Sequence, residues 1–209
     1  NLSQGFPDFD VSPDLIDRVV HYMRRGCNQY APMPGVAALR KAIAAKVAAL
    51  YDADYSPESD ITVTSGATEA IFAAIAAVVH PGDEVVVVEP AYDAYEAAVR
   101  LNGGRPVFVP LTFPGYRMDW ARVRRAMSDR TRLLILNTPH NPSGSVFTAQ
   151  DIAQLEELVG KHDLLILSDE VYEHIVFDGR RHESLARHPT LRRRSFVVSS
   201  FGKTYHATG

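Results

Sequence analysis

Two stretches decide how this chain folds: Arg132-Leu-Leu-Ile-Leu-Asn-Thr-Pro-His-Asn-Pro-Ser-Gly144 and Leu164-Leu-Ile-Leu-Ser-Asp-Glu-Val-Tyr172. Each begins with a short run of branched apolar residues and breaks abruptly into polar turn residues, the pattern of a strand buried on both faces that ends in a loop. Between them Ala149 to Lys161 carries helical periodicity. A strand, a helix and a second strand of this kind make a parallel crossover unit.

The pattern extends in both directions. Apolar runs ITVTS (61–65), EVVVVE (84–89), PVFVP (106–110) and FVVSS (196–200) join the first two, separated by helical stretches such as Thr68 to Val79 and Tyr92 to Leu101. The expected architecture is therefore α/β, a mainly parallel sheet flanked by helices. Upstream, Ser12 and Pro13 open a helix that Gly26 closes. A Pro- and Gly-containing loop follows, and from Val36 the residues Leu39, Ile43, Val47 and Leu50 form one apolar stripe. These features divide the chain into an arm over 1–35 and a large domain over 36–209.

Composition narrows the function. The chain has 209 residues, 46% hydrophobic and 22% charged, with a formal net charge of -3. Its basic residues are scattered apart from Arg192 to Arg194, so neither nucleic acid nor a membrane surface is an expected partner. The longest apolar run, around Ala70 to Val79, is about half the ~20 residues a membrane-spanning helix needs. One cysteine, Cys27, excludes an internal disulfide framework and fits the cytoplasm. Asn1 and the lack of a closing element after the last lysine suggest that both ends are trimmed.

In parallel α/β sheets ligands bind at the carboxyl ends of the strands. After ITVTS, Gly66-Ala67-Thr68 opens a helix whose free N–H groups suit a phosphate, although a plain tight turn reads the same way. After EVVVVE, Tyr92 offers a ring for stacking or for the core. Asn141 sits in the rigid turn after RLLILN, where His140 reads as a turn residue without a catalytic task. Asp169 and Tyr172 end LLILSDEVY, sharing a face if that segment is helical, and Asp169 could equally be a helix cap. After FVVS, Ser200 and Lys203 lie in a glycine-containing turn. Neither GxGxxG nor a nucleoside-triphosphate loop is present.

Five such signals at five successive strand ends are far more restrictive than any one. With NLSQGFPDFD, NQYAPMPG, HNPSG, DEVY and SFGK in this order, the chain resembles the fold-type-I pyridoxal phosphate-dependent aminotransferases, over its whole length. It looks most like the bacterial methionine aminotransferases, relatives of kynurenine and glutamine aminotransferases. The resemblance implies pyridoxal phosphate as cofactor, no metal, amino acid and 2-oxo acid substrates, and a homodimer. It further implies that Lys203 holds the cofactor covalently and serves as the base, that Asp169 pairs with the ring nitrogen, and that Asn141 and Tyr172 hydrogen-bond the ring oxygen. Tyr92 would stack on the ring, while Gly66, Ala67, Thr68 and Ser200 hold the phosphate. Gly5 would line the substrate carboxylate site, and Tyr30 would reach the phosphate of the partner subunit. The small C-terminal domain of such enzymes, with its carboxylate-binding arginine, is expected beyond Gly209. A carbon–sulfur β-lyase or decarboxylase would carry nearly the same residues, and a non-enzymatic sensing module of this fold is a further alternative.

Overall fold

The computed structural model describes residues 5–208; Asn1 to Gln4, which begin the NLSQGFPDFD motif, and Gly209 lie outside them. Five strands form one sheet: β1 (Glu84–Glu89), β2 (Arg105–Pro110), β3 (Thr131–Asn137), β4 (Leu165–Asp169) and β5 (Ser195–Val198). Their order is β2-β1-β3-β4-β5 and every pairing is parallel. All strands therefore end on the same side. The register aligns Asn137 with Asp169 and Asp169 with Val198, so three chemically important turns start level with one another.

Alternation along the central strands builds two cores, one on each face. Val86, Val88, Leu134, Leu136 and Ile166 face α5 (Trp120–Ala126), α6 (Ala149–Lys161) and α7 (Pro189–Arg192) through Val123, Leu155, Leu158 and Leu191. Val85, Val87, Leu133, Ile135 and Leu167 face α3 (Gly66–Val78) and α4 (Asp93–Leu101) through Ile71, Ile75, Tyr95 and Val99. Being apolar on both faces is thus what lets β1, β3 and β4 occupy the middle. The edge strands β2 and β5 are covered less completely, with Phe108 and Phe196 partly exposed.

Residues 61–65 depart from expectation. ITVTS has the composition of a strand but joins no ladder; Val63 N–H instead donates to Pro34 O at 3.0 Å, which anchors it to the loop before α2 (Ala37–Tyr51). β-propensity alone does not make a strand without a neighbouring backbone to pair with. Gly35 permits this approach: it sits at φ +101, and a Cβ there would lie 2.6 Å from Val63 Cγ2. The segment after Asp169 is likewise a turn over 171–174 and not a helix, and α5 had no clear signature in the sequence.

The first helix, α1 (Pro13–Arg24), forms where expected, although the Ser12 side chain makes no capping bond. It buries none of its residues, and Ile16, Val19, Tyr22 and Met23 lie exposed along it. Leu15, Val19, Tyr22 and Met23 line a shallow groove that Leu39 and Phe201 complete. Among the described residues no helix is long and apolar enough to cross a membrane.

Candidate active site

The chain leaves β1 for β2 on one side and returns to β3 on the other, so the carboxyl ends of β1 and β3 diverge and open a crevice. His140 braces it. One ring nitrogen meets Ser143 Oγ at 2.7 Å and the other meets Pro90 O at 2.9 Å, tying the β3 turn to the β1 turn. Burial holds its pKa below the usual imidazole range, in keeping with a neutral strut. Asn137, which sequence spacing did not single out, performs a similar task one strand over. Its Nδ2 donates to Asp169 O at 2.9 Å and its Oδ1 accepts the N–H of Asn141 at 2.6 Å, so the end of β4 sets the position of the Asn141 turn.

Around this frame the structure brings together most of the residues named from sequence. Asn141 Nδ2 donates to Tyr172 Oη at 3.4 Å. Lys203, in the short helix α8 (Phe201–Thr204), places Nζ 5.9 Å from the centroid of the Tyr172 ring. Its N–H meets Ser200 Oγ at 3.5 Å, and among the described residues its ammonium has no ion-pair partner. Tyr92, partly exposed, meets Thr68 Oγ1 through its hydroxyl at 3.4 Å, which joins the α3 start to the β1 turn. Gly66 adopts φ +82 with open space where a Cβ would be, so glycine serves the backbone conformation there. The first-turn N–H groups of Ala67 and Thr68 have no helical acceptor.

Asp169 is the electrostatic centre of the group. It is 4% exposed, and burial pushes its carboxyl above the ordinary range against the opposing effects of a Tyr95 hydrogen bond, the Val171 N–H and the Lys203 charge. It therefore lacks a full countercharge in the protein alone. Burial likewise raises the Tyr172 phenol, helped by the negative charge of Asp169 and opposed by Asn141. The Asp169 side chain caps no helix, since the residues after it form a turn.

Two of the expected site residues are not brought to this cluster. Gly5 is exposed with nothing within 4 Å of a would-be Cβ, and Tyr30 is wholly exposed. Phe9 nevertheless meets the segment after the lysine turn: it stacks on His206 at 3.7 Å and its carbonyl meets His206 Nε2 at 2.5 Å.

Sequence reasoning also missed Glu173, which is 5% exposed and receives Lys46 Nζ at 2.6 Å and the hydroxyls of Tyr51 and Ser199. It couples α2 to the Tyr172 turn and to the Ser200 turn. Only its place after the tyrosine in DEVYE could have drawn attention.

A family model described as aminotransferase class I and II matches residues 1–209. Methionine aminotransferase of Escherichia coli (strain K12) is 53% identical over 209 residues, covering 100% of this chain and 54% of that protein. A probable N-succinyldiaminopimelate aminotransferase of Mycobacterium tuberculosis is 44% identical over 211 residues, with 100% and 53% covered. Among solved structures, YbdL from Escherichia coli, reported with a methionine aminotransferase function, superimposes with a TM-score of 0.97 at 53% identity over 100% of this chain and 55% of that one. The chain spans about half the length of these relatives.

Proposed function

The chain belongs to the class I and II aminotransferase family, and from that premise we propose that the whole protein moves the amino group of an L-amino acid to a 2-oxo acid with pyridoxal phosphate as cofactor. Methionine is the leading donor, because the methionine aminotransferase of Escherichia coli is 53% identical; glutamine and aromatic amino acids are the other donors to test. The observation that carries the reading is the buried carboxylate of Asp169, short of a countercharge, facing the same crevice rim as Tyr172, Asn141 and the unpaired Lys203.

Those residues fit the cofactor. Bound pyridoxal phosphate supplies an aldehyde that condenses with amines and a ring that draws electrons from the carbon bearing the amino group. Asp169 answers to a protonated ring nitrogen, which would supply the countercharge it lacks. Asn141 and Tyr172 have N–H and O–H donors for the ring oxygen, and Tyr92 an aromatic face for the ring. The α3 start at Gly66, Ala67 and Thr68, with the Ser200 hydroxyl, suits the phosphate. A helix start contributes only about 0.3–2 kcal/mol, against about 8 kcal/mol for micromolar retention, so the remaining contacts and the covalent link at Lys203 must share the binding.

Lys203 Nζ would hold the cofactor's aldehyde carbon and would be the base that takes a proton from the substrate's α-carbon and returns it.

The proposal extends to assembly and location. Residues 1–35 act as an arm and 36–209 as the cofactor-binding large domain of a cytoplasmic homodimer, in which Gly5 lines the substrate carboxylate site and Tyr30 reaches the partner's phosphate. The exposed apolar face of α1 and the full exposure of Tyr30 support a partner subunit on that side.

A donor screen on the full-length protein, with several 2-oxo acid acceptors, tests the reading. Equal yields of a new oxo acid and a new amino acid are expected, with the highest efficiency for methionine. Release of pyruvate and ammonia without a new amino acid would overturn transfer in favour of elimination.

A further inference from the structure

Tyr95 lies in the first turn of α4 and is 3% exposed, among Ala98, Val99 and the inner faces of β1 and β3. A phenylalanine would cover that surface equally well. The hydroxyl is the unusual element, since burying it without a hydrogen-bond partner is costly. It spends its one proton on Asp169, donating to Oδ2 at 2.5 Å across 74 residues of sequence. The other carboxylate oxygen accepts the Val171 N–H at 3.2 Å. One oxygen is thus held by a side chain from the β1–β2 crossover and the other by the backbone of its own turn, which fixes both the plane of the carboxylate and the direction of its free lone pairs.

The surroundings add charge to the argument. Around the pair stand Tyr92, edge-on to Tyr95 at 5.7 Å, with Tyr172, Glu170 and Lys203. Of these only Lys203 is cationic, and it is shared with the Tyr172 ring face. Among the described residues, the Tyr95 hydroxyl therefore makes the one side-chain hydrogen bond that favours the ionised form of Asp169.

We propose that Tyr95 is a positioning residue for the cofactor's ring nitrogen: through its hydrogen bond it keeps Asp169 ionised and aimed, so that the nitrogen meets a carboxylate and not a neutral acid. This inference rests on the cofactor reading above and concerns a residue that touches Asp169, not the reacting atoms.

The test uses the full-length protein stripped of cofactor, as wild type, Tyr95→Phe and Asp169→Asn. Dissociation constants are measured for pyridoxal phosphate and for its 1-deaza analogue, in which C–H replaces the ring nitrogen. Wild type should favour pyridoxal phosphate. In Tyr95→Phe the preference should fall about tenfold, toward that of Asp169→Asn, with the analogue's own constant unchanged or lower. An unchanged preference in Tyr95→Phe would overturn the inference alone. Equal weakening of both ligands would also overturn it, because a merely structural role or a poorly folded variant does not discriminate at one ring atom. A wild type that binds both ligands alike would overturn the cofactor reading and this inference with it.

Discussion

Replacing Glu173 by glutamine should destabilise the protein by about 3 kcal/mol near neutral pH, and the loss should shrink in acid. The side chain is 3% exposed and accepts from Tyr51, Ser199 and Lys46. A bond to a charged acceptor is worth about 1.5–3 kcal/mol and one to a neutral acceptor about 0.5–1.5, so the two hydroxyl bonds each lose about 1. Lys46 is about a third exposed and can turn to water, which holds its share to about 1 kcal/mol at most. Burial raises the Glu173 carboxyl, but the Lys46, Ser199 and Tyr51 bonds and the Lys46 charge outweigh it and leave the pKa below its ordinary 4.5. A folded carboxyl that binds its proton less tightly than the unfolded one lends stability above about pH 4.5, which fades as pH falls through the lower folded value. Calorimetric unfolding of full-length wild type and Glu173→Gln across this range reads both quantities. A variant as stable as wild type near neutrality, or a gap that stays constant into acid, would refute the hub as described.

Lys203→Ala should lose transfer activity and the visible absorbance of the loaded protein; borohydride reduction and peptide mass spectrometry should place the cofactor on Lys203 in wild type and nowhere in the variant. Asp169→Asn should abolish most turnover yet raise the unfolding midpoint of the cofactor-free protein. Its folded pKa lies above the ordinary 3.8, so the charge costs stability increasingly as pH rises through the folded value, and an amide removes that dependence. Gly35→Ala should destabilise by about 2–4 kcal/mol, from a strained positive φ together with a methyl driven into Val63, and denaturation midpoints would show it.

Much of the site was legible before any coordinates because its parts sit at strand ends, where a buried apolar run gives way abruptly to polar turn residues. Asp169, Asn141, Tyr172 and Lys203 each follow such a break, and their order along the chain carried the resemblance to aminotransferases. Tyr95, Asn137 and Glu173 left no comparable mark. Tyr95 reads as an ordinary buried helix residue and Asn137 as the end of a strand, since their partners lie 74 and 32 residues away.

By itself, the chain's pattern of buried runs and intervening helices determined a parallel α/β sheet and the chemistry gathered at its carboxyl edge, because periodicity and composition are local properties. Tertiary structure alone decided that β2 and β5 take the edges, that residues 61–65 join no ladder, and that a phenol from one crossover holds the carboxylate of another strand. Those outcomes depend on which surfaces meet in three dimensions, and residue spacing does not encode that.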